Sequence, residues 1–246
     1  MDWKDILNNY IDIVTKELEK YMDIKYSKNN KLIEAMKYSL MAGGKRLRPV
    51  LAMASYEIFS SDLENVMPSA YGLEMVHTYS LIHDDLPAMD DDDLRRGQPS
   101  NHKKFNEATA ILAGDSLLTE AFLEIAKSDM KDNQKVAIIQ LLSEASGATG
   151  MCEGQQRDIE AENHSLLIED LEQIHRLKTG KLFEYCVLSA GIIAETSEEE
   201  NKLLKEYANN LGLAFQIRDD LLDTIGVQEE LGKKVGSDQE IGKSTY

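Results

Sequence analysis

The stretch LIHDDLPAMDDDDLRRG, residues 81–97, places a run of acidic residues at the end of an apolar segment. The residues just before it carry apolar side chains at helical spacing, which predicts a helix that ends in carboxylates. Negative charge at a helix C-terminus opposes the helix dipole, and crowded carboxylates raise one another's pKa unless cations neutralise them. We therefore expect a divalent cation at this end of the helix.

Within this stretch, Asp84 and Asp90 lie six positions apart. On an ideal helix that spacing separates their side chains by about 240°, so they could not share an ion. Pro87 lies between them and is expected to break the helix and let them converge. Two alternatives stay open for residues 90–93. One is a solvated acidic loop; the other is a calcium-binding loop, although the ligand alternation and the glycine of an EF-hand are missing.

A second acidic motif, QIRDDLLD, occupies residues 216–223. Asp219 and Asp223 are spaced i,i+4, so they face the same side of one predicted helix, which Gly226 is expected to end. Clustered carboxylates favour a hard cation, and Mg²⁺ in particular prefers a few carboxylates together with water and substrate phosphates. The two motifs therefore predict a phosphorylated substrate.

Composition excludes several classes of partner. The chain has 246 residues, with 27 basic and 44 acidic side chains and a net charge of −17, which disfavours nucleic acid and anionic membrane surfaces as partners. Cys152 and Cys186 are too few and too far apart for a disulfide framework, so we expect a reducing, cytoplasmic location. The N-terminus lacks an apolar signal region, and no run approaches the roughly 18 apolar residues of a membrane span.

Helical patterns dominate the chain. Only four prolines occur, and stretches rich in Leu, Ala, Glu, Lys and Met predict an all-α bundle, most simply one domain over residues 1–246. Amphipathic helices are predicted around residues 32–40, 73–82, 112–125 and 136–142, and more deeply buried ones at 171–194 and 201–225. Connections are expected at Gly43–Gly44 with Pro49, from Pro87 to Pro99, and at 128–133 and 196–197.

Four further segments follow a recognisable order around the two acidic motifs: GGKRLRP (43–49), EMVHTYSLIH (74–83), NEATAILAGD (106–115) and HRLKTGKLF (175–183). With them the chain resembles the trans-isoprenyl diphosphate synthases of the polyprenyl synthetase family, over roughly residues 31–246. The resemblance implies an all-α isoprenoid synthase fold with a central substrate cavity. In that family the two aspartate motifs face each other and hold Mg²⁺ against an allylic diphosphate.

The resemblance also implies roles for individual residues. The implied Mg²⁺ ligands, for three ions and with Mn²⁺ as a substitute, are Asp84, Asp85, Asp90, Asp219, Asp220 and Asp223. The implied contacts to isopentenyl diphosphate are Lys45, Arg48, His77 and Arg96. The implied contacts to the allylic substrate are Arg95, Lys178, Thr179 and Gln216, and the further diphosphate ligands are Lys233 and Lys243.

Plainer interpretations stay open for several of these residues. The basic loop could be solvated surface, His77 a partly buried structural histidine, and Gln216 a hydrogen-bonded core amide. Arg95 and Arg96 could pair with the neighbouring aspartates. Gly180 disfavours a regular helix by about 1 kcal/mol relative to alanine, so a kink is expected beside Lys178.

The implied reaction is ionisation of dimethylallyl or geranyl diphosphate, supported by the metal-bound aspartates, Arg95, Lys178 and Lys233. The double bond of isopentenyl diphosphate then attacks the allylic cation, and the expelled diphosphate removes a proton. Tyr79 lies five residues before Asp84, about 7.5 Å along the helix, where its ring would limit the growing chain. Tyr79 with Ser80, and the two residues inserted in the first motif, resemble bacterial farnesyl diphosphate synthases more than geranylgeranyl enzymes.

Competing functions also stay open. Tyr79 could be an ordinary core aromatic, and the product could be geranyl or geranylgeranyl diphosphate. A non-catalytic partner subunit would lack some of these aspartates or cations, and a terpene cyclase would not need a separate cation set at Lys45, Arg48 and Arg96. A homodimer is expected from the resemblance. Relatives continue beyond Tyr246 into further C-terminal helices, so a shortened domain is expected.

Overall fold

The computed structural model describes residues 2–26, 30–162, 164 and 166–225, without the side chains of 219, 220 and 222–225. Its described residues are predominantly helical and form only one two-stranded hairpin, which confirms the all-α prediction. The chain divides into two compact units, residues 1–136 and 137–246, and each is described by itself. Helix α7 (Asp132–Ser146) runs across the division.

The first unit is built around α4 (Met67–Asp84), which is buried on nearly every side. Helices α1 (Trp3–Lys25), α2 (Lys31–Leu40), α3 (Leu47–Glu57) and α6 (Glu107–Lys127) pack against it, together with a short 3₁₀ turn at Leu63–Asn65. The short helix α5 (Asn101–Lys104) packs against α2 and α6. Gly72 lets α4 approach α6 closely, because a methyl group there would lie 3.1 Å from the Ala121 carbonyl oxygen. The aspartates at the end of α4 therefore follow a helix that is buried on most of its sides.

Two predicted boundaries in this unit were wrong in detail. Pro49 was expected in a connection but lies in the first turn of α3, where the missing N–H costs nothing because first-turn amides have no helical partner. Asn133 was expected in a connection but lies in α7, which begins at Asp132.

Leu112 and Val136, predicted on apolar faces, are exposed at 55% and 65% in the single chain.

The second unit contains α8 (Met151–Glu160), α9 (Ile168–His175), α10 (Lys181–Ile193) and α11 (Glu198–Ile225). Between α9 and α10 the helix widens into a π-helical turn, Arg176–Gly180. The kink expected beside Lys178 is therefore a local change in hydrogen-bond pattern, and the segment predicted as one helix over 171–194 has two α-helical parts. Gly226, expected to end α11, lies outside the described residues.

Both cysteines fall in this unit and form no disulfide. None of the helices in the described part of the chain combines the length and the apolar character needed to cross a membrane.

Candidate active site

The first aspartate motif folds back on itself at the end of α4. Asp84 is the last residue of the helix, and the backbone N–H of Asp90 donates to the Asp84 carbonyl at 2.9 Å. Pro87 lies in the intervening turn, as the sequence predicted, so the chain reverses and brings the two aspartates next to each other. We call residues 84–90 the carboxylate turn.

Asp85 is the buried member of this motif, with a side chain only 3% exposed. It accepts two hydrogen bonds from Arg95, one of them from Nε at 2.9 Å. Burial raises the pKa of Asp85, and the Arg95 guanidinium partly opposes that rise. Arg95 also pairs with the exposed Asp92 at 3.0 Å, so the expected pairing with neighbouring aspartates is present for Arg95.

Arg95 and Arg96 are presented by a small hairpin that sequence patterns did not predict. Strands β1 (Leu94–Arg95) and β2 (Gln98–Pro99) pair antiparallel, and Arg96 and Gly97 turn between them with φ of 54° and 76°. Two consecutive positive φ values are typical of a type I′ hairpin turn. The hairpin is anchored to α2 because the Tyr38 hydroxyl donates to the Pro99 carbonyl at 2.7 Å.

The two arginines of this hairpin bind different partners. Arg95 binds the carboxylate turn, whereas Arg96 donates to the carbonyl oxygen of Gly43. Gly44 has a φ of +109°, and a methyl group there would lie 2.6 Å from the Arg96 Cζ atom. The positive φ favours glycine at this position, and the absence of a side chain leaves room for the guanidinium to lie against the backbone.

Arg48 and His77 lie beside Arg96 in the same unit. Arg48 Nη1 lies 3.2 Å from His77 Nε2, and because a guanidinium only donates, this ring nitrogen accepts. Burial, followed by the charges of Arg48 and Arg96, holds the pKa of His77 well below its usual value. We name Arg48, His77, Arg96 and the Gly43–Gly44 backbone the cation pocket, because cationic side chains line it. Lys45 follows Gly44 in the same loop and is exposed.

Arg46, in the middle of the basic motif, has a structural role that sequence patterns did not predict. Its side chain is 1% exposed and pairs with the equally buried Glu74 of α4, while its other guanidinium nitrogen donates to the Leu40 carbonyl. Arg46 adopts a left-handed conformation with φ of 45° where it begins α3. It therefore fixes the loop that carries the cation pocket, and only its position between two other cations hinted at importance.

In the second unit, Lys178 lies in the π-helical turn and pairs with Asp158 of α8 at 2.6 Å. Asp158 was missed because nothing in its local sequence marks it as the partner of a lysine 20 residues later. Gly154 of α8 allows this contact, since a methyl group there would lie 2.6 Å from the Lys178 Cα atom. Thr179 is buried beside Lys178.

The remaining expected residues of this unit are only partly described. Gln216 Nε2 lies 3.1 Å from His175 Nδ1, which agrees with the plainer interpretation of a hydrogen-bonded amide. Asp219, Asp220 and Asp223 lie on α11, but their side chains are outside the described set. Lys233 and Lys243 also lie outside the described residues.

A family model described as polyprenyl synthetase matches residues 29–246. The chain belongs to the polyprenyl synthetase family. It is 45% identical to the farnesyl diphosphate synthase of Bacillus subtilis (strain 168), over 100% of this chain and 81% of the relative. It is 47% identical to that of Geobacillus stearothermophilus, over 99% of this chain and 82% of the relative.

The fold is likewise that of a polyprenyl synthetase. An FPP/GFPP synthase from Zymomonas mobilis, solved as an apo crystal structure, is similar with a TM-score of 0.83 and 36% sequence identity. The likeness covers 94% of this chain and 83% of that chain. The recognition of the family from the order of its motifs is therefore confirmed.

Polyprenyl synthetases use divalent metal ions. Among the described residues, no three His, Cys, Asp or Glu side chains are already arranged around a possible ion. The described part of the first motif nevertheless offers only carboxylate donors, and its turn places Asp84 beside Asp90. Hard oxygen donors of this kind fit a hard divalent cation, so the residues present are chemically suited to the metal of the family.

Tyr79 and Ser80, the expected determinants of product length, lie on α4 one turn before this motif. Tyr79 is 7% exposed. The Ser80 hydroxyl donates to the His77 carbonyl at 2.9 Å, so it is engaged with its own helix. Their effect on product length stays a prediction for this polyprenyl synthetase.

Proposed function

We propose that this chain is a farnesyl diphosphate synthase, which condenses isopentenyl diphosphate with dimethylallyl and then geranyl diphosphate. Its family and its relatives named farnesyl diphosphate synthase support this function. Both substrates are isoprenoid diphosphates, so the enzyme must bind two highly charged anions next to each other. The site therefore needs a separate set of positive charges for each diphosphate.

The observation that carries the proposal is the placement of two distinct charge sets on consecutive residues. Arg95 contacts the carboxylate turn, and Arg96 contacts the loop of the cation pocket. A single diphosphate would need only one of these sets. Two sets, joined by one hairpin, favour a two-substrate condensation over a cyclase that ionises one diphosphate.

The carboxylate turn is proposed to serve the allylic diphosphate. Asp84, Asp85 and Asp90, together with Asp219, Asp220 and Asp223, would hold Mg²⁺, in a set of three ions for which Mn²⁺ could substitute. When bound there, the ions would neutralise charge on the leaving diphosphate. Arg95 and Lys178 add positive charge to the same leaving group, and their ion pairs with Asp85 and Asp158 orient both side chains.

The cation pocket is proposed to hold isopentenyl diphosphate. Arg96 is exposed and Arg48 partly so, which leaves their guanidinium groups accessible to an anion, and Lys45 lies on the same loop. Neutral His77 is able to donate from Nδ1 while Nε2 accepts from Arg48. These contacts position the double bond to attack the allylic carbon, and the expelled diphosphate takes up the proton that is lost.

The direct test is incubation of the purified chain with Mg²⁺, labelled isopentenyl diphosphate and either dimethylallyl or geranyl diphosphate, followed by separation of the products by length. We expect a predominant fifteen-carbon diphosphate with both allylic substrates, and no product with a chelator present. A ten- or twenty-carbon product would support the condensation reaction but contradict the proposed fifteen-carbon product. Absence of any product would contradict the proposed function and favour a non-catalytic partner subunit.

Two further properties are part of the proposal. Three apolar side chains are exposed in the single chain: Ile111 and Leu112 on α6 and Val136 on α7. They support a homodimer, because burying apolar surface in an interface is favourable. Sedimentation equilibrium should give twice the chain mass. We also propose that residues 1–246 act as one domain, which would appear as a single cooperative unfolding transition.

A further inference from the structure

His83, directly before the first aspartate, lies in a confined position between α4 and α6. Its Nε2 atom lies 3.1 Å from the carbonyl oxygen of Ile111. Because a carbonyl only accepts, Nε2 carries the proton and donates to it. The ring is thereby tied to the neighbouring helix.

Gly114 of α6 provides the space for this ring. A methyl group at Gly114 would lie 2.6 Å from His83 Cδ2 and 3.0 Å from Cε1, and closer still to Nε2. The imidazole therefore lies directly against the Gly114 backbone. Any larger residue would force the ring to move.

The third contact of the ring is Tyr79, one helical turn earlier. The two ring centroids are 5.7 Å apart and the planes are inclined at 80°, an edge-to-face pair. Residues spaced i,i+4 lie on the same face of a helix, so the histidine ring blocks one direction in which the tyrosine ring could rotate. His83 is itself restrained on two sides, because the Ile111 carbonyl accepts from Nε2 and the Gly114 backbone lies against the ring.

We propose that His83, seated on Gly114, is a positioning residue that sets product length by holding the Tyr79 ring in place. This inference rests on the proposed function and on Tyr79 limiting the chain. The histidine needs no contact with substrate. The edge-to-face contact favours the observed tyrosine rotamer, so its loss shifts the Tyr79 ring toward other rotamers and makes room for a longer product.

The test compares product ratios of four variants: Tyr79→Ala, His83→Ala, His83→Phe and the double variant Tyr79→Ala with His83→Ala. We expect His83→Ala to raise the ratio of twenty- to fifteen-carbon product about tenfold, the population change for roughly 1.4 kcal/mol of lost ring contact. His83→Phe retains an aromatic edge and should keep the wild-type ratio. The double variant should match Tyr79→Ala alone, because His83 acts only through the tyrosine ring.

A matched control is available on the same pair of helices. Gly72→Ala would also press α4 against α6, at the Ala121 carbonyl and the Ile125 side chain, but away from the His83 ring. It should lower stability without changing the product ratio, whereas Gly114→Ala should change the ratio. If His83→Ala does not fold, His83→Asn serves instead, since it retains a donor for Ile111 and lacks the ring.

The results distinguish a failure of the proposed role of His83 from a failure of the proposed function. Longer products from Tyr79→Ala but an unchanged ratio in His83→Ala would overturn the role of His83 and leave the proposed function intact. Equal changes in the ratio from Gly72→Ala and Gly114→Ala would also overturn it. A wild-type chain that forms no product with any allylic substrate would overturn the proposed function, and this inference with it.

Discussion

Arg96 lies against Gly44, with its guanidinium so close that a methyl group on the glycine would come 2.6 Å from Cζ. The same side chain donates to the Gly43 carbonyl, which is 53 residues away in sequence. This contact joins the hairpin of the two arginines to the loop that precedes α3. It brings the proposed ligands of isopentenyl diphosphate into one pocket.

Replacing Gly44 by alanine should raise KM for isopentenyl diphosphate about tenfold, because the added methyl group would displace the Arg96 guanidinium, the far end of a flexible side chain, from the pocket. Gly43→Ala is the matched control. Gly43 also has a positive φ, +83°, but no atom lies within 4 Å of a methyl group there. Steady-state kinetics should show the larger effect at Gly44, and equal effects would indicate backbone strain alone.

Stability should depend on pH through His77. Because the folded chain lowers the pKa of His77 from its usual 6.5, the unfolded chain binds a proton as pH falls and the folded chain does not. The contribution of neutral His77 is therefore complete above pH 6.5 and is lost as pH falls below it, by at most about 1.4 kcal/mol per pH unit.

The measurement is denaturant unfolding of wild type and His77→Gln between pH 5 and pH 8. The difference in free energy of unfolding, wild type minus variant, should decrease toward acid. His164→Gln, at an exposed position, controls for the loss of one histidine. A difference that does not vary with pH would contradict the prediction.

The ion pair between Arg46 and Glu74 should be a strong determinant of stability. The two side chains are 1% and 2% exposed, so Glu74→Gln leaves an uncompensated guanidinium in the core. Loss of one partner of a buried pair typically costs about 3–5 kcal/mol. The exposed pair Lys37–Asp23 is the control, and Asp23→Asn should cost less than about 1 kcal/mol by the same chemical denaturation assay.

Asp158 should act on the allylic substrate through Lys178. Its substitution by asparagine removes the charge that orients the lysine at 2.6 Å, so KM for geranyl diphosphate should rise several-fold while KM for isopentenyl diphosphate stays the same. Glu153→Gln, on the same helix and paired only locally with Arg157, should change neither constant. A similar rise in both KM values would point to a general structural defect.

The π-helical turn offers a contrast between two glycines. Gly154→Ala would force a methyl group into the Lys178 backbone and should lower the free energy of unfolding by about 1–3 kcal/mol. Gly180 lies in the turn itself, but the nearest atom to an added methyl group is 3.7 Å away. Gly180→Ala should therefore be neutral or stabilise by up to about 1 kcal/mol, as thermal unfolding will show.

Local sequence was sufficient for the features that depend on neighbouring residues. The end of α4 at Asp84 followed from Pro87, because proline disrupts a helix wherever it stands in the interior. The irregularity beside Lys178 was expected from Gly180, although its π-helical form was not. The hairpin of Arg95 and Arg96 was missed, since two-residue strands leave no alternating pattern.

The sequence by itself determined the helical class, the order of the motifs and the residue types available for two diphosphates, because propensity and spacing act within one or two helical turns. Only the tertiary structure decided the partners: Arg46 is buried against Glu74, Arg96 meets Gly43, and Lys178 meets Asp158. Neighbouring cations such as Arg46 and Arg48 look alike in sequence. Their different roles arise from burial and from contacts between residues far apart in the chain, which no local pattern records.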